Sequence, residues 1–259
     1  AVVGFTIDGR NVNNELYEVE NFATTSFTVD QPFFGQTISR PLEVVYQPVQ
    51  IFSLLGRANY TLKDKYILTG TFRYDGVSKF QGNNRWGLFP SFAVAWRASQ
   101  EPFIERLKVF DDLKFRAGWG QIGNHGIQAF QTLANYGGTL YATPGNGTSV
   151  SFIPLNIPNP SLQWETTEQL NVGIDFGFVN NRITGTVDYY NKNTVDLLQQ
   201  LVLPPSAGFG SLTANRGEIT NEGIELLLNG LIIAKQDVKL SIGGNIAFNR
   251  TKITSLGIP

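Results

Sequence analysis

Apolar and polar residues alternate along many short segments of the chain, so that every second side chain is apolar. The segment 169–178 shows this most clearly, since polar residues or glycines separate Leu170, Val172, Ile174, Phe176 and Phe178. Successive side chains of a β-strand point to opposite faces, so this period predicts a strand with one apolar and one polar face. The same alternation recurs at 66–75, 91–97, 113–119 and 238–249. It predicts about nine strands in all.

Connections between the predicted strands fall into two sizes that alternate along the chain. Tight turns are predicted at Lys63-Asp64, at 235–237 and at Asn180-Asn181, where a two-residue turn can take positive φ at both positions. Long polar or glycine-rich connections are predicted at roughly 10–50, 76–86, 122–164 and 193–212, and a medium one at 99–111 with a brief helix near 102–107. Short turns and long loops then lie at opposite ends of an up-and-down sheet, as in outer-membrane barrels.

Periodicity alone leaves two folds open, because a soluble β-sandwich also alternates apolar and polar positions. Connections of about 40 residues are uncommon in compact soluble domains, which favours the barrel. Aromatic residues near the predicted strand ends suit the interfacial girdles of such a barrel: Tyr66, Tyr74, Trp86, Trp96, Tyr189 and Tyr190. The sequence therefore predicts an all-β chain that forms part of a large antiparallel transmembrane β-barrel.

Composition removes several functional classes. The formal net charge is -1, which argues against a partner with a phosphate backbone, so no nucleic acid is expected. Cysteine is absent and His125 is the single histidine, which disfavours thiolate metal sites and histidine-based catalysis. The chain has no run of 18 apolar residues, no methionine and no basic region at its start. We therefore expect residues 1–259 to be a segment of a single barrel domain inside a longer protein.

Several ordered motifs resemble one family. Residues 62–76 read LKDKYILTGTFRYDG, 84–91 read NRWGLFPS and 112–124 read DLKFRAGWGQIGN. Residues 159–166 (NPSLQWET), 173–183 (GIDFGFVNNRI), 188–194 (DYYNKNT) and 221–225 (NEGIE) continue the series. Together they resemble the SusC-like class of TonB-dependent outer-membrane transporters of Bacteroidetes. The resemblance is specific between residues 52 and 253 and looser in residues 1–50.

The resemblance implies nutrient uptake, commonly of a glycan or a peptide, through a plugged barrel expected to have about 22 strands. It also implies a SusD-like surface lipoprotein as partner, lipid around the barrel, and energy from the TonB complex acting through N-terminal parts. We expect the plug and the N-terminal domains to lie outside residues 1–259. No cofactor and no catalytic activity are expected.

Few residues of the sequence suggest a catalytic or ligand-binding site. Gly118, Gly120 and Gly123 match a dinucleotide-binding spacing, but no helix pattern follows, so a strand-to-loop turn is the better interpretation. His125 is interpreted as a solvated or loop-packing residue, and the Asp111-Asp112 pair as part of a solvated turn. Aromatic residues of the predicted external loops suit loop packing better than stacking on a sugar or contact with the lipoprotein: Phe80, Tyr136, Tyr141, Phe152 and Phe209. We therefore assign no catalytic, cofactor-binding, metal-binding or substrate-binding residue.

Two rival functions follow from the sequence. One is a soluble β-sandwich module that binds carbohydrate or protein, which would bury its apolar face against a second sheet. The other is an outer-membrane protease or lipase, which would need a nucleophile, a base and an acid that a single histidine can barely supply. Outer-membrane import of a nutrient is the leading prediction.

Overall fold

A computed structural model describes residues 1–22, 35–144, 147–235 and 237–257. The strands in chain order are β1 (Val2–Phe22), β2 (Gly35–Leu62), β3 (Tyr66–Val77), β4 (Trp86–Arg97), β5 (Asp112–Asn124), β6 (Tyr136–Thr143), β7 (Gly147–Pro154), β8 (Glu165–Phe178), β9 (Ile183–Val195), β10 (Leu198–Val202), β11 (Ser211–Asn215), β12 (Glu218–Ala234) and β13 (Lys239–Ser255). A short α-helix, α1 (Pro102–Glu105), lies where a brief helix was predicted. Among the described helices, none is long and apolar enough to cross a membrane.

The main sheet has nine antiparallel strands in the order β1-β2-β3-β4-β5-β8-β9-β12-β13. Nearly every strand therefore pairs with its neighbour in sequence, which confirms the predicted up-and-down order and strand count. Two hairpins, β6-β7 and β10-β11, lie outside this sheet, within the connections β5-β8 and β9-β12.

Register brings the apolar positions of all nine strands onto one face. Ile7 pairs with Phe52, Leu54 with Tyr74, Phe92 with Trp119, Val172 with Tyr189, Leu226 with Val187, and Phe248 with Ile224. Most of these side chains are exposed, for example Phe92 at 60%. Soluble proteins rarely expose continuous apolar patches larger than a few hundred Å². An apolar layer of lipid is the environment that matches this face.

A soluble sandwich is inconsistent with the same face, since no second sheet covers it within the described residues. That alternative interpretation is therefore wrong. The β6-β7 and β10-β11 hairpins form separate two-stranded sheets within the long connections, and most large apolar side chains of the main sheet's face stay exposed.

Aromatic residues mark both borders of the apolar face. Trp86 stacks on Tyr74 with ring centroids 5.2 Å apart near the loop end, and Trp96 stacks on Phe115 at 5.5 Å near the turn end. At about 3.3 Å per residue, β4 runs roughly 33 Å from Trp86 to Trp96. A strand tilt of about 40° reduces this to roughly 25 Å, the height of the apolar band in outer-membrane barrels.

Tyr190 is an exception to the predicted girdle. It follows Tyr189 directly on β9, and adjacent residues of a strand point to opposite faces. Tyr189 pairs with Ile224 on the apolar face, whereas Tyr190 pairs with Gly223 and lies across it on the polar face. The prediction that both tyrosines are interfacial is wrong for Tyr190.

Short turns cluster at one end of the sheet, as predicted. Lys63 and Asp64 adopt φ of 52° and 53°, and Lys65 N donates to Leu62 O at 3.0 Å. The turn at Asn180-Asn181 also has positive φ, but it extends from Val179 to Arg182, so the two-residue turn becomes a longer connection. The third predicted turn lies partly outside the described residues; there Lys235 N donates to Val238 O at 2.9 Å.

Glu101 links the medium connection to the turn end. Its carboxylate accepts from the Tyr66 hydroxyl at 2.8 Å and from Lys65 Nζ at 3.1 Å. These hydrogen bonds, that of Tyr66 first, lower the pKa of Glu101. The carboxylate stays ionised and fixes the connection against β3.

The segment 10–50 is not the long loop that the sequence predicted. In the described residues β1 continues to Phe22 and β2 begins at Gly35, and the two pair up to the Phe22–Gly35 register. Their neighbour β3 pairs only as far as Ile51, so the β1-β2 hairpin projects beyond the sheet. Apolar residues do not recur regularly at every second position in 10–22 and 35–50, so the sequence carries no period-two signal for strands there.

Candidate functional site

The polar face of the sheet carries a charged cluster in its centre, which we call the wall cluster (Lys114, Arg116, Asp175 and Asp188). Arg116 binds Asp175 through Nη2 at 2.7 Å and through Nε at 2.9 Å, and its Nη2 also lies 3.0 Å from Asp188. Lys114 Nζ adds a contact to Asp175 at 3.2 Å. Two cations and two carboxylates therefore join β5, β8 and β9.

Gly173 makes room for the wall cluster. It pairs with Arg116 on one side and with Asp188 on the other, so the two charged side chains meet across it. A Cβ atom at this position would overlap the Asp188 carboxylate and lie 2.9 Å from Arg116 Nη2. Glycine is needed here because of this close approach.

An open recess of about 310 Å³ lies beside the wall cluster and is lined by Thr69, Ala93, Arg116, Asn171 and Gly173. Small residues and glycines on the polar face create this space, and charged groups border it. The polar face is thus a wall suited to water or to another protein segment.

Removal of Arg116 should expose the repulsion between Asp175 and Asp188. We expect Arg116→Gln to lower the free energy of unfolding of the full-length barrel by about 1 kcal/mol, since partial exposure screens these charges. Adding Asp188→Asn to that variant should restore part of the loss. Urea unfolding in lipid vesicles would measure this order of stabilities. Arg57→Gln, which removes a polar-face cation outside the cluster, should change little, and a double variant less stable than Arg116→Gln would contradict the expectation.

The loop end of the sheet has a buried apolar cluster, which we call the loop core (Val77, Phe80, Phe89, Ile127, Leu162 and Trp164). Phe80 is 0% exposed and Trp164 7%. The Trp164 ring lies 5.6 Å from that of Phe80 and 5.4 Å from that of Phe89, and its Nε1 donates to Arg85 O at 3.2 Å. The loop core therefore joins the β3-β4 and β5-β8 connections.

Hydrogen bonds between side chains and backbone extend this packing across the loops. Gln81 donates to Thr132 O at 2.9 Å, and Asn84 donates to Ser161 O at 3.0 Å. Asn215 donates to Gln163 O and accepts from Gln163 N, both at 2.9 Å. The predicted long loops thus form one connected layer over the end of the sheet.

His125 packs edge-on against Trp164, with ring centroids 5.4 Å apart. Its Nδ1 is buried and has no hydrogen-bond partner within the described part of the chain, while Lys79 donates to its backbone O at 3.3 Å. Burial lowers the pKa of His125, and the nearby positive charge of Lys79 lowers it further; smaller effects, among them the charge of Asp75, act in the opposite direction. The predicted loop-packing role agrees with this position.

Acidification should loosen the loop layer through His125. Its pKa is lower in the folded than in the unfolded state, so the packing is fully stable above about pH 6.5 and weakens as the pH falls toward the folded value. Chymotryptic cleavage after Phe130 or Leu133 of the full-length protein should accelerate from pH 7.5 to pH 5.5, after correction for chymotrypsin activity. In His125→Phe that acceleration should shrink; an equal acceleration in both proteins would assign it to other groups.

The other candidate residues take structural positions. The glycine motif lies within β5 rather than in a strand-to-loop turn, and no helix opens in the described residues 125–135 that follow it. Asp111 Oδ2 accepts from Asn181 N at 3.1 Å and so joins two connections at the turn end. No group of three or more potential metal ligands occurs among the residues that were placed.

The loop aromatics divide into three groups. Phe80 is buried in the loop core, as loop packing predicted, whereas Tyr136, Tyr141 and Phe152 are exposed on the β6-β7 hairpin. Phe209 borders a recess between loops, together with Gln131, Asn156 and Gln200. Sequence reasoning missed this recess and the wall cluster, because both depend on strand register and loop packing.

Comparison with known proteins agrees with this geometry. The family described as TonB dependent receptor-like, beta-barrel matches residues 3–258. The chain is 38% identical over 210 residues to the TonB-dependent receptor SusC of Bacteroides thetaiotaomicron. That match covers 80% of this chain and 21% of SusC. A TonB-dependent receptor of Formosa agariphila is 34% identical over 256 residues, covering 96% of this chain and 25% of that protein.

A solved structure shows the same fold. The RagAB peptide importer in its closed-closed state superposes with a TM-score of 0.84 at 26% identity, over 99% of this chain and 28% of that one. The chain thus spans about a quarter of the length of the proteins that it matches. Its exposed apolar face, aromatic borders and up-and-down sheet are those of an outer-membrane barrel, and the chain belongs to the TonB-dependent receptor β-barrel family.

Proposed function

We propose that the full-length protein imports a nutrient across the bacterial outer membrane, and that residues 1–259 form part of the wall of its single barrel domain. The observation that carries the proposal is the apolar face that runs without interruption over nine strands. Membership of the TonB-dependent receptor family supports it. The complete barrel would have about 22 strands and contain a plug, with the plug and N-terminal domains elsewhere in the protein.

A SusD-like surface lipoprotein is the proposed partner on the outer side, and the TonB complex is the proposed source of energy through N-terminal parts. Similarity to SusC and to the RagAB importer supports this arrangement. The connected layer of long loops is the surface that such a partner would meet. The polar face would surround the plug, and the wall cluster would border it.

The proposed cargo is a glycan or a peptide. One relative of known structure is described as a peptide importer, so similarity alone leaves both classes open. A catalytic role is not proposed, because the charged groups of the polar face pair with one another and His125 packs against Trp164.

Deletion of the gene for the full-length protein tests import directly. The mutant should lose growth on one defined glycan or peptide source, and it should no longer accumulate a fluorescent form of that nutrient. A wild-type copy should restore both. Unchanged growth and uptake on every glycan and peptide source that the wild type uses would contradict the proposal, as would recovery of the protein in the soluble fraction.

A further inference from the structure

Two adjoining recesses lie between the external loops, with volumes of about 210 and 420 Å³. They share Gln131, Gln200 and Thr213. Gln200 lies on β10, Thr213 on β11, and Gln131 in the connection after β5. Their combined size is within the range of about 300 to 1,000 Å³ that is usual for small-molecule sites. We call the pair the amide recess.

Side-chain amides of the amide recess are held in fixed orientations. Gln131 Oε1 accepts from Gln128 N at 2.9 Å, and its Nε2 donates to the Thr213 hydroxyl. Asn156 accepts from Asn135 N at 2.7 Å and donates to Leu133 O at 2.8 Å. A site whose polar groups are already oriented loses little entropy when a ligand binds.

Gln200 keeps hydrogen-bonding capacity for a ligand. Its Nε2 donates to Ser211 Oγ at 2.7 Å, which leaves the Ser211 hydroxyl proton free to donate. Gln200 Oε1 accepts no hydrogen bond from any described residue. One acceptor and one donor therefore lie side by side on the β10-β11 hairpin, a pairing that matches a hydroxyl group, which both donates and accepts.

Charge is absent from the amide recess. None of the described residues that line it is an aspartate, glutamate, lysine, arginine or histidine. An ionised ligand group would lose hydration there without gaining a charged partner, which costs free energy. The lining therefore suits uncharged polar ligands better than acidic sugars or peptides that bring charged termini or side chains.

Phe209 adds an aromatic surface at the rim of the smaller recess, beside Gln200. Phe209 is half-buried, so part of its side chain stays accessible. An aromatic face packs against apolar C–H groups, and a sugar ring presents such groups on one side and hydroxyls at its edge. Oriented amides, a hydroxyl pair and one aromatic ring together match this chemistry.

We infer that the amide recess binds a sugar unit of an uncharged oligosaccharide on the outer side of the barrel. The inference rests on the proposed import function and narrows its cargo to neutral glycans. Gln200, Ser211 and Gln131 would hold the hydroxyls, and Phe209 would pack against the ring.

Binding to the full-length protein in detergent tests the inference. Calorimetric titration would use malto-, cello-, xylo- and laminari-oligosaccharides as neutral probes, oligogalacturonate as an acidic probe, and a tryptic digest of casein as a peptide probe. At least one neutral probe should bind. Gln200→Ala and Phe209→Ala should each weaken its binding about five- to tenfold, the loss that follows removal of a hydrogen bond or an aromatic contact.

Gln199→Ala is the matched control, since Gln199 precedes Gln200 on β10 and points to the opposite side of the hairpin. It should leave the affinity unchanged. The inference is overturned if no neutral probe binds, or if Gln200→Ala and Phe209→Ala bind the neutral probe as tightly as the wild type does. It is also overturned if Gln200→Ala weakens the binding of oligogalacturonate or casein peptides instead. Uptake by the wild type and by the deletion strain separates the two proposals. If the deletion abolishes uptake of a peptide alone, the amide recess is rejected as a glycan site and the proposed import function stands.

Discussion

Val172→Arg is expected to keep the full-length barrel from accumulating in the outer membrane. Val172 lies near the middle of β8 on the apolar face, where it pairs with Ala117 and Tyr189 and is 45% exposed. An arginine facing lipid near the middle of the bilayer costs about 2–4 kcal/mol. The amount of folded barrel in purified outer membranes, measured by heat-modifiable migration in gels, should fall severalfold.

Asn171→Arg provides the control for this substitution. Asn171 is the adjacent residue of β8, so it lies on the polar face, where it pairs with Gly118 and Tyr190. The added charge there meets water or polar groups and should be tolerated. Equal losses in the two variants would mean that the faces have been assigned wrongly, because only the lipid-facing position should penalise the charge.

Trp164→Ala is expected to release the loop layer while the barrel stays folded. Trp164 is the central ring of the loop core, in contact with Phe80, Phe89 and His125. Replacing a buried tryptophan by alanine costs about 3–5 kcal/mol, and here the loss falls on loop packing outside the strands. Hydrogen exchange of residues 78–85 and 125–135 should accelerate strongly, with little change in β3 and β8.

Trp119→Ala supplies the comparison for the loop core. Trp119 stacks on Phe92 with ring centroids 6.2 Å apart, on the apolar face and away from the loops. Its replacement should leave exchange in the two loop segments unchanged. If both variants accelerate loop exchange equally, the loops are coupled to the whole barrel and the loop core does not stabilise them separately.

Alternation in the sequence predicts the membrane-facing strands well, since lipid on one side and polar surroundings on the other demand opposite chemistry at successive residues. Phe92, Val94 and Trp96 lie on the predicted face for this reason. The projecting part of β1 and β2 gives no such signal, because apolar residues do not recur regularly at every second position there. The β6-β7 and β10-β11 hairpins lie outside the main sheet, within the long connections, and were also missed.

The candidate sites depend on contacts that no local pattern encodes. Arg116 lies 59 residues before Asp175 and 72 before Asp188, and only the register of β5, β8 and β9 brings them together. Alternation in the sequence does assign all three residues to the polar face, but it does not predict that they contact one another. Gln131 and Thr213 are 82 residues apart and meet only through loop packing.

The up-and-down order of the sheet has a consequence for how the barrel forms. Pairing between sequence neighbours requires only short chain closures, so each hairpin can join the growing sheet at a small entropic cost. The pairings of β5 with β8 and of β9 with β12 differ, and the longer separation is that of β5 and β8, by residues 125–164. The β6-β7 hairpin closes about half of that interval, and we expect its formation to set the pace at which the second half of the sheet is added.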